Sequence, residues 1–176
     1  AGFTHWAKLN NLKQAAKTIN FLTEHGISSY GELESKLTAI SARRDTAHAE
    51  IKRIESRSAE LALVMKHAGT YRQLKPLYER YRKSNDKEKF LRGHESEIIL
   101  FEAAARELKR LGAVPLPTTE SMKTELANLN AEKERLLAEY KAARTEAQEY
   151  DTVKQNVDAL LTVPKEQEQQ RRHELE

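Results

Sequence analysis

Basic and aromatic side chains alternate between residues 66 and 92, and this segment has the clearest potential for binding chemistry. It holds nine basic and three acidic residues, a net charge of +6, whereas residues 1–65 carry +2 and residues 93–176 carry −5. Cations release counterions from nucleic-acid phosphates, and aromatic faces stack on unpaired bases. The pattern predicts a DNA contact through ten side chains: Arg72, Lys75, Tyr78, Arg80, Tyr81, Arg82, Lys83, Lys87, Lys89 and Arg92.

A structural interpretation of the same segment stays open beside the first. Tyrosines at helical spacing with apolar neighbours usually face a core. In that case Tyr71, Tyr78, Tyr81 and Phe90 pack the segment together, while the Lys and Arg side chains only solvate its surface.

Catalytic and metal-binding patterns are missing from the sequence. It has no Cys, and its single glycines form no phosphate-binding loop. The six histidines are dispersed, with neither a His-x-His nor a His-Glu-x-x-His motif. We therefore predict no catalytic residue, no metal site and no cofactor. The histidines are His5, His25, His48, His67, His94 and His173.

The composition points to helices that bury little surface. Of 176 residues, 39% are apolar and 32% are charged, against roughly 45–50% and about 25% in typical globular domains. Ala and Leu dominate the apolar residues and favour helix over strand. No apolar run approaches the roughly 20 residues of a membrane span, and no secretory signal precedes the first helix. These features predict an all-α, cytoplasmic protein without membrane insertion.

The first predicted helix covers residues 4–27. Its apolar residues recur at intervals of three and four residues, which predicts one buried stripe along the helix. Gly26 and Ile27 form the expected C-terminal stop, and Ser29 with Glu32 forms a capping box for the next helix. The stripe consists of Trp6, Leu9, Leu12, Ala16, Ile19 and Leu22.

Two heptad seams follow, and each predicts a long stalk helix, at 29–68 and 119–162. In the first seam nine of eleven positions are apolar, and in the second ten of twelve are. The first consists of Leu33, Leu37, Ile40, Arg44, Ala47, Ile51, Ile54, Ser58, Leu61, Met65 and Ala68. The second consists of Met122, Leu126, Leu129, Lys133, Leu136, Tyr140, Ala143, Ala147, Tyr150, Lys154, Val157 and Leu161.

The two seams most simply bury one another in a long antiparallel coiled-coil hairpin, with the first helix packed at its base. The register that pairs every seam residue places Ile40 opposite Lys154 and Arg44 opposite Tyr150. A register shifted by one heptad would pair the two seams nearly as well. An alternative is that a seam recruits a second chain and forms a homodimer.

Residues 69–118 are predicted to form a small helical cap at the tip. Gly69 ends the first stalk helix, Pro76 starts or kinks a short helix, and Ser84 or Asn85 caps a piece broken at Gly93. A further helix covers residues 95–111 and ends at Gly112, after which Thr118 or Thr119 caps the second stalk helix. Residues 163–176 are almost free of apolar side chains and are predicted to be disordered.

The sequence resembles the C-terminal helical region of relaxases, the mobilisation nucleases of conjugative plasmids and integrative elements in Firmicutes. The resemblance covers about Trp6 to Leu161 and is spread over short helical motifs. These are Trp6-Ala7-Lys8-Leu9, Asn11-Leu12-Lys13, Ala15-Ala16-Lys17-Thr18, Gly26-Ile27, Ser29-Tyr30 and Glu32-Leu33, followed by Pro76, Tyr78, Tyr81, Lys83, Phe90, His94, Gly112 and Leu116-Pro117.

The resemblance implies a non-catalytic accessory domain of a conjugative relaxase, whose DNA-nicking transesterase site lies in a separate N-terminal domain. Such a domain would help to hold single-stranded or origin-proximal DNA, or would dock relaxosome, coupling and secretion proteins. The alternative hypothesis is a structural coiled-coil spacer or oligomerisation arm without nucleic-acid binding.

Overall fold

The structure, a computed structural model, describes the backbone of residues 2–173 and the side chains of residues 10–162. Within that part of the chain it is all-helical, about 90% helix with no strand. The four helices are α1 (Gly2–Glu24), α2 (Tyr30–Lys83), α3 (Lys87–Arg110) and α4 (Thr119–His173). The predicted all-α class is confirmed. The predicted disordered segment, residues 163–176, lies outside the residues whose side chains are described.

Two compact units divide the chain. The first unit comprises Ala1–His48 with Leu137–Glu176, and the second comprises Ala49–Leu136. The first therefore contains α1, the beginning of α2 and most of α4, while the second contains the rest of α2, all of α3 and the beginning of α4.

In the first unit, α2 and α4 run antiparallel. The Tyr30 hydroxyl donates to Asp158 Oδ1 at 2.6 Å, and further along α2 Arg43 forms an ion pair with Glu146. Residue numbers thus rise along α2 as those of its α4 partners fall. The core between these helices consists of Ile27, Leu33, Ile40, Ala147, Tyr150 and Val153.

The register differs from the first predicted one by about one heptad, which is the alternative that the sequence left open. Lys154 Nζ lies 3.7 Å from Glu34 Oε1, one and a half turns before the predicted neighbour Ile40. Arg44 was expected beside Tyr150, but the tyrosine of α4 that interacts with its guanidinium is Tyr140. A heptad repeat places apolar residues opposite each other in either register, so partners outside the seam decide between them.

The apolar stripe predicted for α1 is wrong at three of its four described members, since only Leu22 packs on the core. Leu12 and Ile19 are 67% and 59% exposed, whereas Thr18 is only 2% exposed. Burial of Thr18 is tolerated because its hydroxyl is satisfied: it donates to Gln14 O at 2.9 Å and accepts from Asn156 Nδ2 at 3.2 Å. Trp6 and Leu9 lie outside the described side chains.

The ends of α1 and the beginning of α2 follow the predicted caps closely. Gly26 has φ of 61°, and the Ile27 amide donates to Leu22 O at 2.8 Å, which confirms the glycine-terminated stop. The Glu32 amide donates to the Ser29 hydroxyl at 3.2 Å as predicted. The Glu32 carboxylate, however, accepts from the Ser28 amide at 2.7 Å, and this bond lowers the pKa of Glu32.

In the second unit, three helices share one core. Side chains of α2, of the end of α3 and of the beginning of α4 meet there, and α2 again runs antiparallel to α4. Arg57 bonds Glu125 at 2.7 Å, and Glu55 bonds Lys133 at 2.9 Å. The Lys133 and Lys52 ammonium groups lower the pKa of Glu55 to about 2. The core consists of Leu61, Val64, Ala68, Leu108, Ala113 and Met122.

The predicted end of the first stalk helix at Gly69 is wrong. The α2 helix continues through Gly69 and contains Pro76 in its interior before it ends at Lys83. A helical glycine costs only about 1 kcal/mol relative to alanine. Burial of Ala68 and the packing of Tyr71 on both sides of this glycine supply apolar contacts that offset the cost.

The helix α3 begins at a different cap from the predicted one, but it is interrupted close to the predicted position. Its N-cap is Asp86, whose carboxylate accepts from the Lys89 amide at 3.0 Å, and not Ser84 or Asn85. The expected break at Gly93 is a kink at His94, where φ is −142° and ψ is 21°. Gly112, with φ of 68°, ends the helix as predicted. Thr118 caps α4, since its hydroxyl accepts from the Ser121 amide at 3.0 Å.

Candidate nucleic-acid interface

The ten predicted contact residues all lie on two adjoining segments of the second unit, residues 71–83 of α2 and 87–92 of α3. Only three residues connect the helices, and α3 returns along α2. Tyr81 near the end of α2 lies 6.1 Å from Phe90 near the start of α3, measured between ring centroids. Further from the turn, Tyr71 faces Phe101. We call residues 70–104 the α2–α3 hairpin.

Aromatic rings fill the space between the two helices of the hairpin. Phe101 stacks with Tyr78 at 4.2 Å and with Tyr71 at 4.8 Å, with an interplanar angle of 23° in both pairs. Since Tyr71 and Tyr78 are two helical turns apart, Phe101 lies between their rings. Tyr81 and Phe90 continue this cluster toward the turn, and both are half-buried. The structural interpretation of the tyrosines therefore describes this cluster better than the prediction of free stacking surfaces.

Tyr78 was predicted to contact DNA, but the structure places its ring in the packing between α2 and α3. Its ring packs against Phe101, so that face cannot receive a base. Tyr81 is only half-buried, but its ring faces Phe90 and Tyr78, and Lys87 Nζ lies 6.0 Å from its centroid. Phe101 was absent from the predicted set, although its spacing from Ile98 and Leu108 along α3 marks an inward face.

Seven of the predicted cations form an exposed basic surface around this aromatic cluster. None of them forms an ion pair within the described side chains, whereas many basic residues elsewhere do, including Arg43, Arg57 and Lys133. Three of the seven lie about 6 Å from an aromatic centroid, a distance suited to cation–π contact. The seven are Lys75, Arg80, Arg82, Lys83, Lys87, Lys89 and Arg92.

Arg72 has a different role from the other predicted cations. Its guanidinium donates to the Thr119 hydroxyl at 2.7 Å and to Pro117 O, so it ties α2 to the start of α4. Because both terminal nitrogens are used, this side chain is a structural clamp. The sequence offered no sign of the difference, since Arg72 belongs to the same basic run as Lys75 and Arg80.

We expect Arg72→Lys to lower the free energy of unfolding by about 1 kcal/mol, because an ammonium cannot make two forked bonds of this kind. The value is small because Arg72 is exposed. Urea unfolding measures the change. Arg82→Lys, at a cation without such bonds, should change stability by less than about 0.5 kcal/mol. Equal losses in the two variants would show that the clamp contributes nothing.

Within the hairpin, the half-buried side chain of His94 holds a buried polar atom without a hydrogen bond. Its Nδ1 atom is shielded from solvent and lies 3.5 Å from Glu97 Oε1, where a protonated ring would form an ion pair. The ring also packs 4.8 Å from Phe90. The kink at this residue turns the first part of α3, with Lys87, Lys89 and Arg92, relative to the rest of the helix.

The described residues contain neither a metal-binding cluster nor a membrane-spanning helix. Among the side chains of residues 10–162, no group of three His, Asp or Glu residues could hold a metal ion. In the same part of the chain no helix has the length and apolar character to cross a membrane.

Comparisons with known proteins returned no match: no protein-family model, no curated protein and no solved structure is similar to this chain.

Proposed function

We propose that this chain is a non-catalytic module that binds DNA through the basic surface of the α2–α3 hairpin. The observation that carries the proposal is the set of seven exposed cations with no ion pair, arranged on two helices that an aromatic cluster holds together. Cations already neutralised by carboxylates gain little from phosphates, whereas unpaired cations release counterions from DNA. This role also implies a location in the bacterial cytoplasm.

The proposed context is conjugation, with the chain as an accessory domain of a relaxase. This part rests on the resemblance of its short helical motifs, from Trp6-Ala7-Lys8-Leu9 to Leu116-Pro117, to the C-terminal region of relaxases. In that context the module would support origin-proximal DNA binding or the docking of relaxosome and secretion proteins.

We further propose that α2 and α4 pair as an antiparallel coiled coil that supports the hairpin. Burial along the two heptad seams supports this arrangement, because positions from both seams are buried in each unit. They are Leu33, Ile40 and Ala47 with Ala143, Ala147 and Tyr150 in the first unit, and Ile51, Ile54, Leu61 and Ala68 with Met122 and Leu136 in the second.

Reversal of four cations should remove most of the DNA affinity. The variant combines Arg82→Glu, Lys83→Glu, Lys89→Glu and Arg92→Glu, all at exposed positions without ion pairs. At about 0.1 M salt each phosphate contact contributes close to tenfold in affinity. We expect a loss of about 100-fold or more, measured by fluorescence anisotropy with labelled DNA.

A matched variant controls for the change in net charge. It combines Arg106→Glu, Lys109→Glu, Lys123→Glu and Lys141→Glu, which are also exposed and without ion pairs in the described structure. The control should lose less than about tenfold, because only long-range repulsion acts there. Equal losses in both variants, or no loss in the first, would refute the hairpin as the binding surface.

The second candidate function is a spacer or oligomerisation arm, including a homodimer formed through apolar helix faces. Exposed apolar residues of the first unit favour it: Leu12 and Ile19 on α1, and Leu160 and Leu161 on α4. Sedimentation equilibrium of the wild type and of Leu12→Ser/Ile19→Ser tests it. A dimer that dissociates in the double variant, together with no DNA binding at physiological salt, would favour this candidate.

A further inference from the structure

We infer that the α2–α3 hairpin binds the sugar–phosphate backbone of duplex DNA in preference to the unstacked bases of a single strand. The inference rests on the proposed function and specifies its ligand. It departs from the sequence-based expectation of single-stranded DNA, which depended on free tyrosine faces.

The aromatic rings of the hairpin are engaged with one another. Single-stranded DNA is held on aromatic platforms on which successive bases stack. In the hairpin, Phe101 occupies faces of Tyr71 and Tyr78, and Tyr81 faces Phe90 and Lys87. A base could take the place of Phe101 on Tyr71 or Tyr78 only after the packing between α2 and α3 had been broken, and the ring of Tyr81 is half-buried. The rings thus stabilise the protein and leave the cations as the available groups.

The cations of the hairpin are spaced and partly restrained before any ligand binds. Lys75 and Arg82 are seven residues apart on α2 and lie on one face of the helix, roughly 10 Å from each other along its axis. Lys75, Arg80 and Lys87 each lie about 6 Å from a ring of the cluster, which limits their freedom before any ligand binds. Cations restrained in this way suit a ligand whose phosphates are also fixed.

Duplex and single-stranded DNA differ in charge density. Duplex DNA carries one negative charge per about 1.7 Å of its axis, whereas each strand alone carries one per about 3.4 Å. A compact set of exposed cations without a stacking platform gains its affinity from phosphates alone. It should therefore bind the ligand with the denser charge more tightly.

The experiment compares a labelled 30-nucleotide single strand with the 30-base-pair duplex of the same sequence, using the whole chain at several salt concentrations. We expect the duplex to bind about tenfold more tightly at about 0.1 M salt, because both its charge density and its counterion release per contact are greater. Sequence changes in the duplex should alter the affinity less than about twofold, since phosphate contacts carry no sequence information.

The variant Tyr81→Leu tests the rings separately while it keeps apolar volume in the cluster. Loss of a stacked base lowers the affinity for single-stranded DNA by about fivefold or more. A single-strand affinity of the variant within twofold of wild type therefore supports the inference. Circular dichroism shows whether the variant is folded, and the duplex comparison in the wild type needs no variant.

The outcomes separate this inference from the proposed function. Equal or tighter binding of the single strand, together with sensitivity to the four charge reversals, would overturn the duplex preference and leave DNA binding intact. A strong loss of single-strand affinity in folded Tyr81→Leu would do the same. Failure of both DNAs to bind at about 0.05 M salt would overturn the proposed function itself, since electrostatic binding is strongest at low salt.

Discussion

Replacement of Phe101 by alanine should cost about 3 to 5 kcal/mol of the free energy of unfolding. The side chain is 5% exposed and stacks with Tyr71 and Tyr78, so its removal leaves a cavity between α2 and α3. These rings pack α2 against α3 near the basic surface. Urea unfolding followed by circular dichroism measures the loss. The same variant should bind DNA less tightly, because the cations lose their common support.

A neighbouring residue provides the control for Phe101→Ala. Leu100 precedes it on α3 and is 55% exposed, so Leu100→Ala should change stability by less than about 0.5 kcal/mol. Similar losses at both positions would mean that α3 does not present the face described here to α2.

The first unit allows a comparison between two leucines that the sequence treats alike. Both belong to predicted apolar stripes, but Leu33 is 1% exposed and Leu12 is 67% exposed. Leu33→Ala should therefore cost about 2 to 5 kcal/mol, because the truncation leaves a cavity beside Ile40, Tyr150 and Val153. Thermal unfolding shows the effect as a lowered Tm.

The matched variant Leu12→Ala should stay within about 0.5 kcal/mol of wild type if the chain is a monomer. A large loss there, dependent on protein concentration, would instead indicate that Leu12 is covered by a second copy. Equal small effects at both positions would contradict the packing of α2 on α4 in the first unit.

The sequence was most informative where local chemistry decides the structure. The stop at Gly26, the hydroxyl cap at Ser29 and the end of α3 at Gly112 each depend on a few adjacent residues, and all three were predicted correctly. Helix content was equally predictable, because an Ala- and Leu-rich chain with few prolines favours helix throughout.

The sequence was less informative where distant contacts decide the structure. Gly69 carries the sign of a helix end, but apolar packing on both sides outweighs its small cost and α2 continues. Heptad repeats fit two registers, and only cross-helix pairs such as Glu34 with Lys154 distinguish them. Thr18 is buried against expectation because Asn156, far away in the sequence, satisfies its hydroxyl.

The candidate site shows the same division between local and distant information. Composition located the basic segment, and the unpaired state of its cations fits that prediction. The roles of individual residues could not be predicted, because they depend on Phe101 and Thr119, which reach the segment only in the folded chain. Tyr78 therefore packs against Phe101, and Arg72 ties α2 to the start of α4, although both were predicted to contact DNA.

The most direct test of the account is the salt dependence of duplex binding in the wild type and in the variant with charge reversals at Arg82, Lys83, Lys89 and Arg92. If the exposed cations contact phosphates, the logarithm of the binding constant should fall with the logarithm of salt concentration with a slope of about −4. The variant should have a slope shallower by about 2 or more, because it has lost contacts. A wild-type slope near zero, or identical slopes in the two proteins, would contradict the claim that this surface binds DNA.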